Sequence, residues 1–427
     1  MIRKLEQDQD NFYKKIKKEI LLNPYNNYPL NIFGYLSNSD KLSYAYMNYK
    51  LDKLNIFEFL LSYIKNFFSI FYFNTYTLYK KKILKKSKKL IITWGKKSDF
   101  DTKGDFMDRY CGINSKMQQK TIFVVQYEED ELPKKIAENI LIFKKNKKKK
   151  IPFYLILQIL KESKSVFNFI NSLSHSSLYS VIFYKKINHQ LKNIDIKEIV
   201  IPFEGQLFQR YFIKKKKNKD TKIIGLIHTF LQPIPFNIFY NKFFSPDKLI
   251  VSSLSQKKCL TKYMNWREKS IIINNSKRFF RSIKPSMART IFLPYKINCR
   301  NTLESLFKNF LILNKNTSFL NFKIKIHPIK IFNDKHLKFK DKIFKIINKN
   351  QEKIVVKNKS NISIFFEYTS AIIEALERGV RVVQICSNPL LQAYTPYFWK
   401  GIIIKKIAKN IFEYKITKKN TLIKMKS

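Results

Sequence analysis

Two separate stretches carry residue types that could grip an anion. One is Ile326-His327-Pro328, at the end of a β-like run from Lys323 to Ile326. The other is Tyr368-Thr369-Ser370, which follows the apolar run Ile362 to Phe366 and opens the helix-like segment Ala371 to Arg378, closed by Gly379. A strand, a hydroxyl pair and a Gly-terminated helix present unpaired backbone N–H groups and a positive helix end to a phosphate-sized anion. Ser370 is the expected N-cap and Gly379 the stop, while Glu374 is suited to accept two hydrogen bonds from a ribose diol. Pro328 biases His327 to extended backbone. That aims its imidazole out of the carboxyl edge of a sheet, where doubly wound folds bind ligands. The bland alternatives are a turn histidine and an ordinary capped helix; together the two stretches suggest a nucleotide-sugar site.

A second group carries groups suited to proton transfer. The run Ile199-Val200-Ile201-Pro202 leads into Phe203-Glu204-Gly205-Gln206. A carboxylate at a strand end suits a general base, and Gly205 is expected to let an acceptor hydroxyl approach closely. Gly225-Leu226-Ile227-His228 is another strand end, so His228 is a candidate acceptor contact or a base in place of Glu204. Gln206, Arg210 and Gln232 are the expected acceptor contacts, the last in a loop with Pro233 and Pro235. Asp247 reads as a turn residue before a strand.

Other chemistries find little support. With only 8 glycines there is no GxGxxG or GxxxxGK[ST] loop, and neither GxSxG nor HExxH occurs. The five histidines (His175, His189, His228, His327, His336) lack metal-ligand spacing, so neither a metal nor a cofactor is expected. The four cysteines (Cys111, Cys259, Cys299, Cys386) are far apart, which suggests a reducing compartment.

These residues must be held by elements, and the chain supplies them. From Leu90 onward, short β-branched or aromatic runs recur: Leu90–Trp94, Thr121–Tyr127, Ile199–Pro202, Ile223–His228, Leu249–Ser252 and Ser270–Ile273. Helix-length stretches separate them, among them Leu132–Phe143, Phe153–Ser163 and Gln256–Met264. That alternation indicates a parallel sheet with helices on both faces. After a pause at 282–286 the pattern resumes. It continues with strands at Thr290–Leu293, Lys323–Ile326, Lys353–Val356, Ile362–Phe366, Val380–Ile385 and Gly401–Ile404, and helices around Leu303–Leu313, Lys340–Ile347 and Ala371–Arg378. The expected fold class is α/β, two Rossmann-like domains facing a cleft, with a mostly helical N-terminal extension. The expected boundaries are 1–88 for the extension, 89–285 for an acceptor-side domain and 286–427 for a donor-binding domain.

Composition sets further bounds. A length of 427 residues exceeds one core, and 45% hydrophobic content excludes wholesale disorder. The formal net charge of +52 suggests nucleic acid, yet only 10 of the 83 basic residues are Arg. The joint abundance of Lys, Asn, Ile, Phe and Tyr fits an AT-rich coding bias, so solvated lysine is the expectation; Lys144–Lys150 and Lys214–Lys217 read as exposed loops. The N-terminus shows no apolar signal region, and the run Asn66 to Tyr79 is too short to span a bilayer. Helix is expected from Leu51 to Tyr79. The very aromatic part from Leu54, leading into Lys80-Lys81-Lys82, is either a core helix or an anchor lying on anionic lipid.

Glu204-Gly205, His327-Pro328 and Thr369-Ser370, in that order, resemble the motifs of bacterial sialyl- and polysialyltransferases that use CMP-activated acidic sugars. By that resemblance the architecture is of the GT-B type, Glu204 is the catalytic base, His327 contacts the CMP phosphate, and Thr369 and Ser370 hold its phosphate end. The family pattern has two adjacent acids before glycine, whereas position 203 here is Phe. Residues 90–405 are also broadly similar to bacterial surface-carbohydrate biosynthesis proteins. The resemblance implies a metal-independent, inverting glycosyltransferase with a nucleotide-sugar donor and a glycan or lipid-linked acceptor. It would be cytoplasmic, with attachment to the inner face of the inner membrane left open. Two alternatives stay open: a CDP-polyol phosphotransferase, and a non-enzymatic basic protein binding RNA or anionic lipid.

Overall fold

The computed structural model describes residues 2–22, 73–80, 87–108, 110–111, 120–127, 129–149, 153–162, 175–216, 220–274, 287–295, 297, 299–315, 319–327, 333–351 and 361–423. Helix α1 (Ile2–Leu22) comes first, then strands β1 (Phe73–Lys80), β2 (Lys89–Gly95), β3 (Thr121–Tyr127) and β4 (Ile140–Lys149). Helices α2 (Phe153–Glu162) and α3 (His175–Gln190) lead to β5 (Glu198–Pro202), α4 (Leu207–Lys216), β6 (Lys222–Leu226), β7 (Lys248–Val251), α5 (Leu254–Tyr263) and β8 (Ile271–Ile273). These strands form one sheet in the order β1-β4-β3-β2-β5-β6-β7-β8, parallel throughout except for β1 against β4. Setting β1 aside, this is the 3-2-1-4-5-6 winding extended by one strand, and the order reverses between β2 and β5. Every residue of β3 is buried, as expected of a central parallel strand covered on both faces.

The second sheet is built from β9 (Thr290–Phe292), α6 (Arg300–Leu313), β10 (Lys323–Lys325), α7 (Asp334–Gln351), β11 (Ile362–Phe366), α8 (Ala371–Glu377), β12 (Arg381–Ile385), α9 (Pro389–Gln392), β13 (Ile402–Ala408) and β14 (Ile411–Ile416). Its order is β10-β9-β11-β12-β14-β13, with the first four strands parallel and β14 antiparallel to both of its neighbours. The winding reverses between β9 and β11. Two doubly wound α/β sheets are therefore present, as the alternating pattern predicts.

Several expected elements are corrected. The helix expected over 51–79 is a strand where it is described: Tyr76 and Leu78 alternate into the core, and β1 pairs with β4 and covers that edge. Residues 51–72 lie outside the described residues. Leu132–Phe143 is not a helix, because Ile140 to Phe143 are the buried start of β4. The lysines expected in loops instead prolong β4 (Lys144–Lys149) and form the last turn of α4 (Lys214–Lys216). The expected strand at Lys353–Val356 and the pause at 282–286 lie outside the described residues.

The two sheets share one hydrophobic core, which runs from β2–β7 through α8 and β12 to Trp399 and Tyr414. Helix α1 fastens the seam. Tyr13 Oη donates to the Tyr263 carbonyl at 2.8 Å and its ring stacks on Phe236, both on the first-sheet side. From the same helix Gln9 Nε2 donates to the carbonyls of Leu390 (3.0 Å) and Ala393 (2.9 Å), on the second-sheet side. Helix α1, the described start of the expected extension, is thus a clamp packed against both halves.

Candidate functional site

Register brings the candidate base and histidine together. Pro202 on β5 pairs with Leu226 on β6, so Glu204 and His228 each lie two residues past matched strand ends. His228 Nε2 is 3.2 Å from Glu204 Oε1, and with the hydrogen assigned to Nε2 the imidazole donates to the carboxylate. Gln206 Nε2 donates to the other oxygen at 2.9 Å. The Glu204 side chain keeps 30% of its surface exposed, while that of His228 keeps only 8%. Each carboxylate oxygen has a lone pair left for a substrate proton. The His228 ring packs against Tyr110 (4.8 Å between centroids) and Trp94 (5.4 Å). Trp94 stands at the end of β2, so this cluster occupies the reversal point of the first sheet, where doubly wound folds bind ligands.

A buried polar lattice holds the Glu204 turn. Gln209 Oε1 accepts from the Glu204 and Gln206 amides at 2.9 and 3.0 Å, and Asn237 Nδ2 donates to the Glu204 carbonyl at 2.7 Å. Neither Gln209 nor Asn237 was expected from the sequence; a Gln opening a helix just after Glu-Gly-Gln was the available signal. Arg210, expected to touch an acceptor, is fully buried. It donates to the Gly205 carbonyl at 3.2 Å and the Asn237 carbonyl at 2.6 Å, which makes it a brace. Burial pulls its pKa down to about 9. Gly205 also has a different purpose from the one expected. Its φ is +69°, and an added Cβ would sit 1.7 Å from the Asn237 carbonyl oxygen, so the chain itself fills the space foreseen for an acceptor hydroxyl. Phe203 is fully buried in the core, so an acid there would face apolar packing; Glu204 is the carboxylate that reaches the site.

Gln232 lies in the loop after β6, and that loop is pinned to the second half. Phe230 O, Leu231 O and Pro233 O accept from Tyr368 Oη (3.4 Å), Tyr394 Oη (2.9 Å) and Trp399 Nε1 (2.8 Å). Gln232 Oε1 is buried there with no hydrogen-bond partner. Tyr368 follows β11, and burial raises its pKa, with a further rise from the Glu204 carboxylate. Through the Tyr368–Phe230 hydrogen bond the carboxyl edge of the second sheet meets the loop that follows His228.

On that second edge, Lys325, Phe292 and Phe365 are in register, so His327 and Glu367 leave the sheet at one level with β9 between them. In-register residues two strands apart are separated by roughly 10 Å. His327 and Thr369-Ser370 thus share one edge and are all half-buried. The His327 ring lies 5.1 Å from that of Tyr295, an exposed residue past the end of β9 that the sequence did not single out. Pro328 lies outside the described residues. The capping assignment changes: Ser370 is already helical (φ −63°, ψ −17°) and its side chain does not cap α8, whereas Thr369 Oγ1 accepts from the Ala371 amide at 3.3 Å. Glu374 Oε1 is engaged by Arg378 Nη2 at 3.1 Å, so a ribose diol would meet its other oxygen. Gly379 ends the helix at φ +74°, as expected. Glu367 was also missed: it is a buried carboxylate at φ +57°, and burial raises its pKa. No group of three or more potential metal ligands occurs among the described residues.

No protein-family model matches the chain, and no curated protein matches it in sequence. Among solved structures, it is similar to the lipopolysaccharide outer core galactosyltransferase WaaB in its apo form. The TM-score is 0.33 at 11% identity, with 70% of this chain and 82% of that one covered. It is also similar to a glycosyltransferase from Rickettsia africae ESF-5, with a TM-score of 0.32 at 14% identity and 70% and 79% covered.

Proposed function

We propose that the chain is a glycosyltransferase that moves a nucleotide-activated sugar, with CMP-linked acidic sugars favoured, onto a glycan or lipid-linked acceptor. The observation that carries this reading is the 3.2 Å Glu204–His228 contact at the reversal point of one sheet, with Tyr368 from the edge of the other bonded to the loop that follows His228. Glu204 takes the proton of the acceptor hydroxyl, and His228 and Gln206 fix the carboxylate's direction. The oxygen's lone pair forms a bond to the anomeric carbon as the bond to the nucleotide phosphate breaks. The electron pair leaves with the phosphate, and a single displacement inverts the centre. His327 and the amides around Thr369-Ser370 offset the departing charge, a task this reading gives to protein groups rather than to a metal.

Catalysis at the inner face of a membrane is part of the same proposal. Helix α2 turns Phe153 (69% exposed), Tyr154 (56%), Leu157 (47%) and Leu160 (45%) outward, beside the lysine-rich end of β4. An apolar stripe next to lysines suits an anionic lipid surface.

Calorimetry with CMP tests the donor side. His327→Ala and Ser370→Ala should each weaken CMP by about tenfold, the loss of one hydrogen bond to a charged group. Unchanged affinity in both variants contradicts the assignment.

A further inference from the structure

Beside the Glu204–His228 pair, on the first sheet, lies a cavity of about 280 Å³ for which the steps above have no use. Its walls come from the carboxyl ends of β2 and β3, from the middle of β4, from β1 and from the start of α3. They are mainly aromatic: Tyr76, Trp94, Phe143 and Tyr179. Tyr76 stacks on Phe143 at 5.1 Å, and the Tyr179 ring meets both of them edge-on, at 4.9 and 5.7 Å, so the walls hold one another in place.

Two nitrogen-bearing side chains, Gln126 and Lys145, interrupt the aromatic lining. Gln126 is 8% exposed and its Oε1 accepts from the Tyr179 hydroxyl, which fixes the amide. Its Nε2 is buried with no hydrogen-bond partner. A buried donor left unmet is costly, so an oxygen arriving beside it would be held there. Flat aromatic faces with one fixed amide donor suit a pyranose ring: the rings cover its C–H face and the amide takes a ring or hydroxyl oxygen. The cavity also has a defined relation to the catalytic pair. Trp94 lines it, and the same indole packs 5.4 Å from the His228 ring. Trp94 is thus shared between the cavity wall and the packing of His228.

From this juxtaposition we infer that the cavity is the acceptor subsite, taking a pyranose unit of an oligosaccharide with Gln126 as its hydrogen-bonding residue. This rests on the transferase reading and supplies its acceptor class.

Tryptophan fluorescence tests it. The three tryptophans are Trp94, Trp266 and Trp399, and the last two are buried, so a ligand in the cavity reaches Trp94 alone. The full chain is titrated with lactose, N-acetyllactosamine and sialyllactose, as wild type and as Gln126→Leu, with CMP thermal shifts measured on both proteins. The expected result is a saturable fluorescence change with at least one oligosaccharide, weakened roughly tenfold in Gln126→Leu, and the same CMP shift in both. If CMP stabilises both proteins but no sugar changes the fluorescence, or Gln126→Leu responds as wild type does, the subsite assignment falls and the transferase reading stands. If CMP stabilises neither protein while the sugars bind as expected, the CMP-dependent transferase reading fails and the cavity remains a sugar site.

Discussion

Three neighbouring residues show how closely chemistry and packing are joined in this chain. Phe203 turns into the core, Glu204 turns to the site, and Gly205 lets the backbone pass within contact of Asn237. The candidate base was legible because a carboxylate followed a β-like run. The brace around it was not, since Gln209, Arg210 and Asn237 meet only once α4 and the loop after β6 are folded together. Gly205→Ala should therefore lower stability by about 3 kcal/mol, combining a left-handed φ with an overpacked backbone contact. A denaturation midpoint equal to wild type would refute that account. Glu367 gives a pH-dependent counterpart. Burial raises its pKa, so the folded chain holds this proton more tightly than the unfolded chain does. The penalty is absent below the unfolded carboxyl pKa of about 4.3. It grows as pH rises through the folded value and is complete above it. Glu367→Gln should gain stability over wild type near neutral pH and lose that gain under acid conditions, as read from urea midpoints. A difference independent of pH would contradict this origin.

At the scale of elements, the alternation of short apolar runs with helix-length segments gave away the parallel strands that carry Glu204, His228, His327 and Thr369. Strand order was not legible, because side-chain periodicity says nothing about which neighbour a parallel strand takes. The reversal points, and with them the places of Trp94 and Tyr295, appeared only in the fold. Lysine-rich ends misled the expectation for β4 and α4: the charged residues continue elements whose first halves are buried. β1 was mistaken for helix because an aromatic-rich run suits either element. Helix α2 is apolar on two sides: Leu155 is buried in the core, while Phe153, Leu157 and Leu160 face out. Phe153→Asp combined with Leu157→Asp should weaken binding to phosphatidylglycerol vesicles by roughly 100-fold or more, given about 1.5–3 kcal/mol per large side chain buried in lipid. Vesicle co-sedimentation unchanged from wild type would remove α2 from the membrane contact.

At the scale of the whole molecule, the described residues build the proposed site from two edges and a clamp. Glu204 and His228 come from one sheet, Tyr368 from the other, and α1 ties both halves together through Tyr13 and Gln9. The most direct measurement is nucleotide release from a panel of CMP-, UDP- and GDP-linked sugars in the presence of oligosaccharide acceptors, with wild type and Glu204→Gln compared at equal donor occupancy. The account predicts one donor class consumed by wild type, a rate at least about 100-fold lower in Glu204→Gln from loss of general-base assistance, and equal donor affinity in the two proteins. Equal release rates from wild type and Glu204→Gln, or no donor bound by either, would contradict it.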